Sequence, residues 1–292
     1  MALVNSFRKL LVGLTPPLLY PPILSIVNSK FVAQVLQKSG KSFYNPVWHE
    51  IPSGKLKGVR LFIDGTSGEW ERSMTDGTYD VYFLKFLEGI NLKGKTFFDV
   101  GAHIGYSSLV VSKLAAGKAK IAAFEPNEFN RERLNLHIQE NGKIGSAISV
   151  YPIALSDKNG NQEFVFTNNV DGWTSSGSFL AAAHTRLDHD VYEKELGFKR
   201  ALVPTMTLDA FAQKEKLTPD VIKIDVEGAE HLVLQGAIRT LGKHHPVILM
   251  ELHSIFATVE SLGILSSQGY SITVLFEDPD GRVFIAATSS KK

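Results

Sequence analysis

The chain has 292 residues, 44% of them hydrophobic and 21% charged, with a formal net charge of +1. That length holds one large α/β domain with an appendage, and the near-zero charge argues against a nucleic-acid protein, which normally carries a basic excess. The absence of cysteine excludes disulfides, thiolate metal sites and a cysteine nucleophile.

Residues 1–40 read as helical pieces broken by Pro16-Pro17 and Pro21-Pro22. A membrane-spanning helix needs about 20 uninterrupted apolar residues, so none is expected here. Arg8 and Lys9 ahead of the run Leu10–Leu14 allow a signal peptide, but no small-residue cleavage site follows. The chain is therefore expected in the cytoplasm. Its apolar residues 1–30 either pack on the domain or lie peripherally on the inner membrane face. Residues 45–95 read as short strands and turns punctuated by Gly54, Gly58, Gly65, Gly68 and Gly77. Tyr79 to Leu87 then has helical spacing. Residues 1–95 are expected to form an N-terminal appendage, and residues 96–292 the main domain.

From Thr96 onward strands and helices alternate. Strands are predicted at Phe97–Val100, Lys120–Phe124, Ile148–Ile153, Val221–Ile224 and Val247–Met250. Helices are predicted at about 106–116, 128–140, 229–241 and 255–267. Most of the strands are continuous apolar runs, as expected for a parallel sheet covered on both faces. Tyr270 to Phe276 and Arg282 to Ala287 flank the turn Asp278-Pro279-Asp280-Gly281, which predicts an antiparallel hairpin at the sheet edge. Residues 168–203 fit no core element and read as an insertion over the strand ends, a lid in its functional form. Its His184, Asp188, His189 and Asp190 lack a standard metal spacing.

Three stretches carry chemistry. In the first, the strand Phe97–Val100 ends in Asp99 and turns through Gly101 and Gly105 into a helix. Such a turn exposes N–H groups at the helix start. Glu125 ends the next strand, where a carboxylate can accept both hydroxyls of a ribose. A dinucleotide site wants a middle glycine for the pyrophosphate, but His103 stands there. That favours S-adenosylmethionine over NAD or FAD. Asp157 follows the third strand, where it can receive an adenine amino group or simply begin a turn before Asn159-Gly160.

In the second stretch, Asp225, Glu227 and Glu230 crowd the end of the strand Val221–Ile224. Acids at a helix start complement the helix dipole, which accounts for Glu230 without function. Asp225 should face the same crevice as Asp99 and Gly101. In the third, Glu251 and His253 share a side if the extended geometry continues. His253 is the base favoured by residue type, and Asp225 the one favoured by location, with Glu227 between them. Asp225 with Glu251 also suits Mg²⁺, but no metal is assigned.

These motifs resemble the FkbM-type methyltransferases. The resemblance rests on Asp99-Val-Gly-Ala-His-Ile-Gly-Tyr106, Phe124-Glu125-Pro126-Asn127, Ala154-Leu-Ser-Asp157, Thr207-Leu208-Asp209 and Lys223-Ile-Asp-Val-Glu-Gly-Ala-Glu230. Leu234-x-Gly236 follows the last, and the upstream Gly58, Trp70 and Gly77-Thr-Tyr79 look like that family's leader. The resemblance implies a class I (Rossmann-like) fold with a mostly parallel seven-stranded sheet. It also implies S-adenosylmethionine as cofactor and O-methylation of a hydroxyl on a sugar, glycan, lipid or natural product. By position, Asp99, Gly101, His103 and Gly105 would hold the methionine part, Glu125 the ribose and Asp157 the adenine. Asp225, Glu227 and His253 are the catalytic candidates. A small-molecule or glycan acceptor is expected as partner, and nucleic acid is not. Two other readings remain at this stage: a nicotinamide-dependent oxidoreductase on a related sheet, and a non-catalytic membrane-associated protein that kept the fold.

Overall fold

The computed structural model describes residues 46–64, 69–167, 177–184, 198–279 and 281–290. The expected helices of residues 1–40 and the apolar residues 1–30 lie outside the described residues, as do Asp188, His189 and Asp190.

β1 (Val47–Glu50) and β2 (Arg60–Ile63) form an antiparallel hairpin. α1 (Glu69–Asp76) and α2 (Val81–Glu88) follow. The sequence predicts the second helix but reads the first as turns. The segment of α1, EWERSMTD, is only eight residues long, is mostly polar and lies between Gly68 and Gly77, so its one apolar pair at helical spacing, Trp70 and Met74, is easily passed over.

The core then alternates: β3 (Thr96–Val100), α3 (Tyr106–Leu114), β4 (Lys120–Phe124), α4 (Glu128–Glu140), the short α5 (Gly142–Gly145) and β5 (Ile148–Tyr151). Four strands come next: β6 (Ala154–Leu155), β7 (Gly160–Thr167), β8 (Phe179–Leu180) and β9 (Phe198–Met206). The alternation resumes with α6 (Leu208–Glu215), β10 (Val221–Ile224), α7 (Glu230–Gln235), α8 (Ile238–His244), β11 (Val247–Leu252) and α9 (Ile255–Ser267). The hairpin β12 (Tyr270–Glu277) and β13 (Val283–Ser289) closes the chain order. Asn127 caps α4, its side chain accepting the Phe129 N–H, as the sequence suggests.

The seven-stranded sheet runs β12-β13-β11-β10-β3-β4-β5, with β13 reversed against both of its neighbours. The predicted class I architecture and its terminal hairpin are thus present. The predicted single helix at 229–241 is two helices. A Cβ on Gly236 would sit 2.1 Å from the Ser156 carbonyl oxygen, so the chain bends there against the neighbouring backbone.

Phe97 and Phe98 show why β3 is central. Neighbouring strand residues face opposite sides, and each ring enters a different core cluster. Phe97 packs in a cluster with Ile51, Leu61, Met74, Phe83 and Leu109, so residues well before Thr96 share the main domain's core. Phe98 packs with Phe124, Phe211, Ile222 and Ile248.

A second sheet, ordered β6-β9-β7-β8, was not expected. Phe179–Leu180 and the start of β9 come from the predicted insertion; residues 168–176 and 185–197 lie outside the described residues. Phe164, Leu180 and Val203 pack on Ala229 and Leu232, so this sheet buttresses the start of α7. Among the described residues, no helix is long and apolar enough to cross a membrane.

Candidate active site

β10 lies between β3 and β11. The chain order reverses direction beside β3, and ligands of open α/β sheets sit at that crevice outside the strands' carboxyl ends. In register, Lys223 lies opposite Asp99, and the Asp225 N–H bonds the Val100 carbonyl at 3.0 Å.

On the β4 side, the turn after β3 is held by Glu125. Its Oε2 accepts the His103 N–H and its Oε1 the Asn127 N–H, both at 2.8 Å. Glu125 is only 4% exposed. Burial raises its pKa to about 7, against the pull of those two N–H groups, Asn130 and Arg131. His103 has φ 50°, and burial lowers its imidazole to about 4, so it is neutral.

The two glycines serve packing more than ligand approach. Gly101 (φ 81°) carries its missing Cβ toward the Asp225 carbonyl oxygen, 1.8 Å from where that carbon would sit. Gly105 (φ 85°) does the same against Leu134 Cδ1 at 2.1 Å. Backbone cannot retreat as a flexible side chain can. Gly101→Ala is therefore expected to destabilise the fold by about 2–4 kcal/mol, from the left-handed strain and overpacking together. Chemical unfolding in urea reads this directly, and a change within error of zero would refute the close packing.

Asp99 is fully buried. Its Oδ2 accepts the Ser108 hydroxyl at 2.6 Å, while Oδ1 has no hydrogen-bond partner among the described residues. An orphaned buried acceptor costs free energy, and it is what the ammonium of an amino-acid tail requires. Glu125, at the next strand end, has lone pairs left for ribose hydroxyls. The residues therefore fit the expected cofactor at its methionine and ribose ends. The adenine end is less defined. Asp157 is exposed after β6, its Oδ1 accepting from Ser156 at 3.0 Å and Gln162 at 3.4 Å. The Phe124 ring, one residue before Glu125, is 1% exposed and enclosed by Phe98, Tyr151 and Phe211, so it presents no face to an adenine.

On the β11 side lies a dense charge cluster. Lys223 is buried and its Nζ donates to Asp225 Oδ2 at 2.9 Å. Burial opposes ionisation of Asp225, but Lys223 and His253 hold its carboxyl below the usual range. Asp80, at φ 50° between α1 and α2, adds another carboxylate, raised to about 7 chiefly by burial.

His253 sits among four carboxylates. Nδ1 is 2.8 Å from Glu230 Oε1; Nε2 is 3.4 Å from Glu251 Oε1 and 3.6 Å from both Asp225 Oδ1 and Glu227 Oε2. Burial alone would lower the imidazole, but Glu230, Glu251, Asp225 and Glu227 raise it to about 11. A ring carrying both protons accepts no third, so the residue favoured as base by type is, in this protein, a cation at neutral pH. Glu230 is a second departure. It is fully buried, accepts the Gly228 N–H at 2.8 Å and grips His253, so it does far more than complement a helix dipole. Arg282, on the terminal hairpin, donates to Glu251 Oε1 at 2.9 Å.

Sequence reasoning brought Asp225, Glu227, Glu251 and His253 together as observed. It missed Lys223, Asp80 and Arg282. A lone lysine inside the apolar strand Val-Ile-Lys-Ile was the one available signal, because lysine is rarely buried unpaired.

The fold and site can be set beside known proteins. Among solved structures, an FkbM methyltransferase from Methylobacillus flagellatus is 19% identical with a TM-score of 0.47, covering 66% of this chain and 43% of that chain. This chain thus spans less than half of that protein's length. An O-methyltransferase from Bacillus cereus in complex with SAH is 14% identical, with a TM-score of 0.43 over 72% of this chain and 80% of that one. An S-adenosylmethionine-dependent O-methyltransferase from Thermotoga maritima is 11% identical, with a TM-score of 0.40 over 73% and 67%. No curated protein sequence matches the chain. The family model of the methyltransferase FkbM domain matches residues 99–272, from the acid that opens the glycine turn to the hairpin strand β12. The chain belongs to the FkbM methyltransferase family, whose cofactor is S-adenosylmethionine.

Proposed function

We propose that the chain transfers the methyl group to a hydroxyl of a sugar, glycan, lipid or natural-product acceptor. The observation that carries this reading is the cluster of carboxylates beside the cofactor crevice. A hydroxyl attacking carbon must lose a proton, and carboxylates are the acceptors here, since His253 is already protonated. Glu227 has the most accessible side chain of the four acids around His253, 38% exposed against 17% for Asp225 and less for Glu230 and Glu251. It takes the proton in this reading, while Lys223 and His253 hold Asp225 in place. When bound, S-adenosylmethionine supplies an electrophilic methyl on sulfonium. The protein aligns the acceptor oxygen with it and keeps water out.

Glu125→Gln tests the cofactor half. Glutamine has a single acceptor oxygen, so one of the two peptide N–H donors loses its partner, at a cost of about 1–3 kcal/mol. Affinity for S-adenosylhomocysteine is expected to fall roughly 10–100-fold by calorimetry. The wild type adds a pH signature. Hydroxyls donate to the ionised carboxyl, and Glu125 ionises at about 7 instead of near 4.5. Affinity should therefore weaken as pH falls through 7 in the wild type and stay flat in the variant. Equal affinities and equal pH profiles would remove Glu125 from the cofactor site. The acceptor itself is found by incubating the protein with methyl-labelled cofactor and cell extract, then identifying the labelled compound.

A further inference from the structure

Asp225, Glu227, Glu230 and Glu251 surround the His253 ring, and Asp80 and Asp99 act with Asp225 on the buried Lys223 beside it. Acids gathered from β3, β11, α7, the loop after β10 and the α1–α2 turn favour a cation among them.

We propose that Asp225, Glu251 and His253 bind a divalent transition-metal cation, Zn²⁺ or Mn²⁺ by chemistry, at the acceptor end of the cleft. One donor atom from each lies within 4.8 Å of the others. Nε2 stands 3.6 Å from Asp225 Oδ1 and 3.4 Å from Glu251 Oε1. Those separations are long for N–H···O bonds. They match the spacing of roughly 3–3.5 Å between neighbouring ligands on a metal bonded at about 2.0–2.2 Å.

The supporting shell points the same way. The His253 side chain is nine-tenths buried, and its Nδ1 is engaged by Glu230, which is itself fully buried and pinned by the Gly228 N–H. A carboxylate on one ring nitrogen fixes the tautomer and turns the other nitrogen into a ligand, as second shells of histidine-bound metals do. Lys223 occupies Asp225 Oδ2, which leaves Oδ1 facing Nε2. An imidazole among the donors favours Zn²⁺ or Mn²⁺ over Mg²⁺ or Ca²⁺. Binding displaces the Nε2 proton to solvent, so affinity rises with pH.

Three protein ligands leave coordination positions for an acceptor oxygen. The site then has a use: a metal-bound hydroxyl is more acidic, and Glu227, outside the ligand set, collects its proton. That use rests on the acceptor reading above, but the binding of metal does not.

The test uses the full chain stripped by chelator. Mn²⁺ is titrated and its unbound fraction followed by electron paramagnetic resonance, with Zn²⁺ added in competition. S-adenosylhomocysteine binding is measured on the same samples. One equivalent of Mn²⁺ is expected, displaced by Zn²⁺ and resisting Mg²⁺. Glu251→Gln should abolish it, and Glu230→Gln should weaken it by about 10–100-fold. If Glu251→Gln fails to fold by circular dichroism, His253→Gln carries the same expectation. Absence of stoichiometric binding, or binding that survives both ligand substitutions, overturns the site. S-Adenosylhomocysteine binding without metal binding would sink the metal alone. Metal binding without cofactor affinity would sink the methyl-transfer reading and leave the site standing.

Discussion

Lys223→Met is expected to lower the unfolding free energy by about 3–5 kcal/mol, the usual cost of removing one partner of a buried ion pair. The lysine is 5% exposed and its ammonium lies 2.9 Å from Asp225. Burial works against its charge, yet Asp225, Asp99 and Asp80 together raise its pKa above the ordinary lysine value. One cation therefore serves three carboxylates from three different elements. Methionine keeps the length and apolar stem but leaves those acids repelling one another out of water. Typical domains have only about 5–15 kcal/mol in hand, so the loss should show as a large drop in urea midpoint at unchanged slope. Adding Asp225→Leu should recover part of it, since the pair is then removed whole. A single-variant loss under about 1 kcal/mol, the value of an exposed pair, would mean the cluster is far wetter than its geometry implies.

That lysine also marks where sequence reasoning stops. The five parallel strands were legible because helices cover both faces, which forces continuous apolar runs such as Val221–Ile224. The terminal hairpin was legible because Asp-Pro-Asp-Gly has few other uses. The sheet of β6 to β9 was not. β6 and β8 are two residues long, too short for a period to show, and β9 carries an exposed Leu202 where its alternation would put a core residue. Within the site, Glu125, Asp225 and His253 stood out because each ends or follows a readable strand. Glu230 was set aside because an acid in a first helical turn already has a sufficient local explanation. Only the fold reveals that this turn is sealed and that His253 comes back to meet it. Asp80 reaches Lys223 across more than a hundred residues from a turn whose sequence is ordinary, and no local pattern reports such a meeting. The protonated state of His253 is also a tertiary property: it follows from four acids on two strand ends and one helix.

Glu227→Gln is expected to reduce methyl transfer by about 10²–10⁴-fold, the range of a lost general base, while leaving affinity for S-adenosylhomocysteine unchanged. The choice among the acids follows from exposure. The side chains of Asp225, Glu251 and Glu230 are 17%, 4% and 0% exposed, and Lys223, Arg282 and His253 cover them within 2.9 Å. Glu227 lies no closer than 3.6 Å to His253 and has the most accessible side chain of the four. Its backbone is held at φ 54°, an unusual conformation for a residue with a side chain, which persists only where the surroundings fix it. Glutamine preserves the volume and asks nothing new of that backbone, so the fold should hold by circular dichroism. The cofactor should still bind, because Glu125 and Asp99 lie on the other side of β10. The assay is transfer of labelled methyl from cofactor into the acceptor of a cell extract, with binding measured on the same preparation. A rate equal to the wild type would send the proton to Asp225 or to water and remove Glu227 from the chemistry. A parallel fall in cofactor affinity would make it a shaping residue of the crevice and not a base.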